Sequence, residues 1–253
     1  MVNANERKQG KASSVRRLLV ALALAASAVA LTGCLYPKEQ LRQNAVPPRD
    51  AVRNVQLAIE DYQKELGLLP IKNSTVDTPR YEKFVVDFTK LLSGGYISEV
   101  PGAAFEEGGH YYFIVIDEET SPRVKLMDLL TVQYINDLKA QVRDYARAHN
   151  GALPRGDEVA PGFYRIDYGL LNKKEKPLRS VYSGQTIPVL LDREGNVYAD
   201  YAIDIMQAIQ KSGRTDFDPS LDLRTLLVDN SVFAPAKSTA YRYVDGEPMP
   251  VPE

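Results

Sequence analysis

The sequence predicts an α+β fold of two similar units, each an amphipathic helix packed on a small antiparallel sheet. Three observations predict it. Apolar residues recur at helical spacing twice, first as Val52, Val55, Ile59, Tyr62 and Leu66, then as Ile135, Leu138, Val142 and Tyr145. Each stripe closes on a glycine and then Leu-Pro, at Gly67 with Leu69-Pro70 and at Gly151 with Leu153-Pro154. Landmarks behind the stripes keep their order: Val86-Asp87-Phe88 is echoed by Ile166-Asp167-Tyr168, and residues 111–117 by residues 186–192. The offset between copies falls from 83 residues at Tyr62/Tyr145 to 80 at Asp87/Asp167 and 75 at Asp117/Asp192, as loops of unequal length would make it do.

Residues 1–33 read as an export signal. Arg7, Lys8, Lys11, Arg16 and Arg17 stand against the single acid Glu6, and Leu18 to Leu31 is an uncharged run of 14 residues. That run is short of the ~20 residues a membrane-spanning helix needs and has the length of a signal-peptide apolar region. Leu31-Thr32-Gly33-Cys34 then resembles the bacterial lipobox. The resemblance implies cleavage before Cys34 and a diacylglyceryl group on its thiol, with palmitate-type acyl chains. Two chains hold a protein stably where one does not. The expected location is therefore the extracytoplasmic face of the cell membrane, with lipid-anchored Cys34 as the contact.

Residues 34–50 read as a tether, because Pro37, Pro47 and Pro48 interrupt any helix. Unit 1 is expected over 51–130, with Asp50 as the N-cap of its helix, and unit 2 over 131–214. Phe113 to Ile116 reads as a buried strand followed by a polar loop from Asp117 to Pro122. The apolar runs 187–191 and 197–201 flank the turn Asp192-Arg193-Glu194-Gly195-Asn196, which predicts a β-hairpin. A shorter helix is expected from Ile203 to Lys211, ending near Gly213, and another helical turn or two within Leu221 to Val228. Residues 215–253 form a C-terminal extension; Pro235, Pro248, Pro250 and Pro252 predict a frayed or extended end.

Composition narrows the function. Loss of residues 1–33 would remove five basic residues and one acid, leaving 26 basic and 32 acidic residues and a formal charge of −6. That balance disfavours nucleic acid as a partner. Cys34 is the only cysteine, which excludes an intramolecular disulfide framework and a cysteine-rich metal site. No P-loop, dinucleotide-binding glycine pattern or paired-histidine motif is present. Ser93-Gly94-Gly95 and Ser183-Gly184 read as turns, and His149 as a partner of a helix C-terminus. Asp87, Asp117, Asp167 and Asp192 read as structural acids at strand ends and turns. No enzyme, cofactor or metal site is expected.

Fifteen tyrosines are more informative. Tyr111, Tyr112, Tyr168, Tyr182 and Tyr198 fall in the strand-rich parts and make a candidate ligand or partner surface, since tyrosine offers an apolar face and a hydroxyl. Two resemblances accompany these readings. The segments Val52–Pro70 and Ile135–Pro154 each resemble the soluble half of a pilin or pseudopilin helix, tyrosine-bearing and closed by a Gly-x-x-Pro turn; a lipobox stands where that family has a long apolar helix. Most of the chain, with Cys34 as the one functional position that transfers, resembles the YphF-like lipoproteins of Gram-positive spore formers, some of which carry a periplasmic-binding-protein label. The expected function is a non-enzymatic binding or interaction module at the cell envelope, whose partner is an envelope protein or a small solute. The alternative is a solute-binding lipoprotein of an ABC-type membrane transporter, with a cleft between the units.

Overall fold

A computed structural model describes residues 49–252. The signal segment, Cys34 and all of the expected tether but its last two residues lie outside the described residues.

Helix α1 spans Arg49–Leu66 and buries Val52, Val55, Ala58 and Ile59. The stripe ends a turn earlier than the spacing predicts, because Leu66 is 51% exposed. Asp50 lies inside the first helical turn and is not the N-cap; its charge there complements the positive helix end. Gly67 takes a left-handed φ of +70° and donates its N–H to the Gln63 carbonyl, the termination that a residue without a Cβ permits. A short helix α2 (Phe88–Ser93) follows. Strands β1 (Tyr111–Ile116) and β2 (Arg123–Asp128) then pair antiparallel, with Val115 opposite Val124.

Both faces of this hairpin are covered. Phe113, Val115, Val124 and Leu126 pack against α1, while Ile114, Ile116 and Met127 pack against Tyr81, Val228, Ala234 and Ala236. That double burial explains why residues 111–116 read as a continuous apolar run instead of an alternating one. The polar side chain of Gln56 fixes α1 to the hairpin, accepting from the Val124 N–H at 2.7 Å and donating to the Pro122 carbonyl at 2.9 Å.

Helix α3 (Leu129–Ala148) starts where β2 stops. Asp128 is its N-cap, with Oδ2 accepting from the Thr131 N–H at 2.9 Å. Its stripe Ile135, Leu138 and Val142 is buried as the spacing requires. At its end the His149 ring pairs Nδ1 with the Tyr145 carbonyl at 2.8 Å and stacks on the Tyr145 ring. Strands β3 (Arg155–Ala160), β4 (Phe163–Ile166), β7 (Val189–Asp192) and β8 (Val197–Ala199) form a four-stranded antiparallel sheet in the order β3-β4-β7-β8. A separate two-stranded pair, β5 (Leu178–Arg179) with β6 (Thr186–Ile187), lies between β4 and β7 in the chain.

The halves share their pairing order. Ile71 bridges Val86, Val85 bridges Ile114, and β1 pairs β2; Arg155 pairs Ile166, β4 pairs β7, and β7 pairs β8. The Asp87 N–H donates to the Pro70 carbonyl at 2.7 Å, and the Asp167 N–H to the Pro154 carbonyl at 2.9 Å. Lys139 reaches from α3 to Asn196 in the β7–β8 turn much as Gln56 reaches from α1.

Residues 215–252 add what spacing alone does not show: the helical turn expected within 221–228 and the extended end are present, and the segment is packed against both halves. Helix α4 (Ala202–Ser212) ends on Gly213 at φ +65°, and α5 (Arg224–Asn230) follows. The chain then runs parallel to β2, where the Leu126 N–H donates to the Val232 carbonyl and the Ala234 N–H to the Leu126 carbonyl. It continues to β8, where the Ala199 N–H donates to the Lys237 carbonyl at 2.7 Å. A final hairpin, β9 (Ala240–Val244) with β10 (Glu247–Val251), buries Tyr241 in the core of the second half. Pro248 and Pro250 alternate along β10, so both missing N–H donors fall on one side of it, as an edge strand tolerates.

Candidate functional site

The residues that matter were not marked by any motif. Helix α4 turns Ile205 and Ile209 into the core. Its other face carries Asp204, Gln207, Ala208, Lys211 and Ser212, spaced by three and four, and lines a cavity of about 620 Å³. Helix α5 supplies Leu226, Leu227 and Asn230; the strand-like run behind it supplies Ser231, Val232 and Phe233. The loop between β5 and β6 supplies Val181 and Tyr182. That loop is held tight: Ser180 Oγ accepts from the Tyr182 N–H at 3.0 Å and the Ser183 N–H at 3.3 Å, and Gly184 N–H donates to the Ser180 carbonyl. Arg49, at the start of α1, completes the lining.

Two of the lining residues hold polar atoms shut away from water: both carboxylate oxygens of Asp204 and the Tyr182 hydroxyl expose no surface. Asp204 is 3% exposed. Burial pushes its carboxyl above the ordinary carboxylate range and the Asp200 charge acts in the same direction, while the Ser183 and Ser180 hydroxyls, the donors beside it, oppose them. The Tyr182 ring sits edge-on to Tyr201 at 5.4 Å and to Phe233 at 6.1 Å, and burial drives its hydroxyl well above the ordinary tyrosine value. A buried carboxylate is costly to keep charged, and Asp204 is placed in the first turn of α4, where the helix end favours its charged form.

This arrangement has a measurable signature. Protonated Asp204 suits its buried site better than the carboxylate does, so stability is lost as pH rises from the ordinary carboxyl range through its raised value. Asp204→Asn has no such loss. Its stability relative to the parent is expected to grow with pH through that window, read by urea titration at several pH values. A difference independent of pH would remove Asp204 from this account.

The five candidate tyrosines do not share one set of neighbours: Tyr111 and Tyr112 are consecutive on β1 and so point to opposite faces, Tyr198 is on β8, and Tyr168 and Tyr182 lie in turns. Tyr182 lines the cavity. Tyr111 touches the cavity wall indirectly, with its ring 5.7 Å from that of Phe233. Tyr112 packs edge-on against Phe105. Tyr168 lies against Tyr134, hydroxyl to hydroxyl at 3.5 Å. Tyr198 donates to Asp192 Oδ2 at 3.0 Å. The cavity is likewise not a cleft between two facing units, since α4 and the C-terminal segment frame most of it. Asp192 is engaged by the Glu194 and Asn196 N–H groups and by the Asn196 amide, as a turn acid is. Asp117 pairs with Arg80 and Arg123, and Asp167 accepts from the Gly169 and Leu170 N–H groups. No helix among the described residues is long and apolar enough to cross a membrane.

The segment from α1 through β2 is thus a helix clamped on a hairpin, ending at the Asp128 cap. Residues 48–128 match the YphF family N-terminal domain. The YphF-type segment covers about a third of the chain and stops where β2 passes into α3. Its contribution to the cavity is Arg49, with Tyr111 behind Phe233. No curated protein and no solved structure matches the chain.

Proposed function

We propose that this protein is a non-enzymatic binding module held at the extracytoplasmic face of the cell membrane by lipidated Cys34, and that its ligand seat is the cavity between α4, α5 and the β5–β6 loop. One observation carries the reading: a cavity of about 620 Å³ is framed by two helices and a loop, with a mostly apolar wall and a few polar residues at its margin. Concave, mostly apolar sites with a few placed polar groups are where small ligands bind. The walls support it, since Leu226, Leu227, Val232 and Phe233 give an apolar body its surface. The shared pairing order of the halves supports an origin by internal duplication, with the YphF-type segment as the first copy.

The seat is tested by filling it. Ala208→Trp is expected to leave a folded protein and to abolish ligand-induced thermal stabilisation across a metabolite panel that stabilises the parent. A panel that stabilises neither protein, or both equally, refutes the seat. The anchor is tested separately: Cys34→Ala is expected to move the protein from the membrane to the soluble fraction, and unchanged membrane retention would refute lipidation at that residue. Delivery of the ligand to an ABC-type transporter would further require a membrane partner, which crosslinking at the membrane would recover.

A further inference from the structure

We infer that the cavity takes an anionic amphiphile: one carboxylate head held at the margin by Arg49 and Lys211, and one apolar body laid against Leu226, Leu227, Val232 and Phe233. The inference rests on the cavity being the ligand seat. Two positive side chains line it, one from the start of α1 and one from the last turn of α4. Both residues are exposed, and neither side chain has an ion-pair or hydrogen-bond partner among the described residues. Unpaired cations are ordinary on a protein surface; two on the margin of one largely apolar cavity give that cavity a sign. Arginine presents a planar fork that takes a carboxylate two-pronged, and lysine adds a point charge. Gln207, four residues before Lys211 on the same face, adds an amide that has no partner among the described residues and can donate to the same head.

The one acid of the lining does not cancel that sign. The Asp204 oxygens expose no surface, and the Ser180 and Ser183 hydroxyls stand beside them as donors, so an entering molecule has no contact to make with them. Lys211 lies seven residues farther along α4, about 10 Å along its axis. Over that distance water and salt at the exposed margin screen the acid from a head bound at Lys211. A cationic head would meet Arg49 and Lys211 as repelling neighbours, and a neutral head would gain nothing from their charge. The volume of about 620 Å³ suits one drug-sized molecule, which favours a single chain over a two-chain lipid.

The experiment uses the full chain in nanodiscs of zwitterionic lipid, with protein-free discs as the blank, since detergent would compete for an amphiphile's seat. The matched probes are 4-phenylbutyrate, 4-phenylbutanol and 4-phenylbutylamine, titrated calorimetrically near neutral pH. The acid is expected to bind about fivefold more tightly than the alcohol, as exposed ion pairs allow, and the amine most weakly. Arg49→Gln combined with Lys211→Gln should bring acid and alcohol to within about twofold while keeping alcohol affinity. Both side chains are exposed and unpaired, so that variant keeps its fold. High salt should narrow the parent's preference in the same way. An acid that binds no better than the alcohol, a preference that survives the double substitution, or no binding of any probe overturns the inference. Alcohol binding that Ala208→Trp abolishes, without acid preference, would leave the seat standing and sink only the ligand class. Acid binding unaffected by Ala208→Trp would sink the seat and the inference with it; should that variant not fold, the double substitution alone decides the ligand class.

Discussion

Replacing Arg224 with alanine is expected to lower the free energy of unfolding by about 3–5 kcal/mol, the cost of removing one partner from a buried ion pair. The side chain is 4% exposed. Its Nε and Nη2 donate to Asp222 Oδ2 at 2.9 and 2.7 Å, Nη1 donates to the Ser238 carbonyl at 3.0 Å, and the guanidinium lies 4.9 Å from the centre of the Tyr81 ring. Removal takes the charged partner from the Asp222 carboxylate, which keeps only the backbone N–H groups of residues 224 and 241, and leaves the Ser238 carbonyl short of a donor. It also separates the C-terminal segment from Tyr81, a core residue of the first half. Arg224→Lys should recover little, because an ammonium cannot reproduce the planar two-pronged contact. Urea unfolding monitored by circular dichroism checks this; a loss under about 1 kcal/mol would mean that water replaces the guanidinium.

A chain that stops at residue 214 is expected not to fold cooperatively. That boundary looks natural, since it closes the second helix-and-strand unit. Yet it discards Leu223, Leu226, Leu227 and Tyr241 from one core cluster, Phe233 from a second, and Val228, Ala234 and Ala236 from a third. It also unpairs Leu126 of β2 and Ala199 of β8. Each large apolar side chain contributes about 1.5–3 kcal/mol on burial, so the loss exceeds the ~5–15 kcal/mol of stability a domain of this kind holds. A sigmoidal thermal transition in the truncated chain would show that the two halves carry their own stability.

What could be read in the sequence follows from how each element announces itself. Helices α1, α3 and α4 have apolar stripes and glycine stops, so their positions were legible, and the β7–β8 hairpin was legible from its polar turn. Strand β2 was not, because its pattern is broken by Lys125 and Asp128, both buried. Lys125 is buried because it donates to the Val228 and Ser231 carbonyls, 103 and 106 residues away; burial pushes its ammonium down to about 8. Strand β3, Arg155–Ala160, is exposed along most of its length and carries no apolar alternation. The last hairpin was hidden by its prolines.

The site was less legible than the fold. Asp204 occupies what reads as the wet face of a short helix, and segments distant in sequence, the β5–β6 loop with Ser180 and Ser183 among them, bury it. Tyr182 could be named among the tyrosines, but nothing local distinguished it from Tyr112 or Tyr198. Burial created by a distant segment leaves no periodic trace in the helix it covers.

The run from Val232 to Lys237 lays a strand-like edge on β2, roughly a hundred residues earlier in the chain, and then on β8. Closing so long a loop costs entropy before any contact repays it, and that slows folding. Each hairpin can therefore form on its own timescale, while the clasp that joins the sheets sets the overall rate.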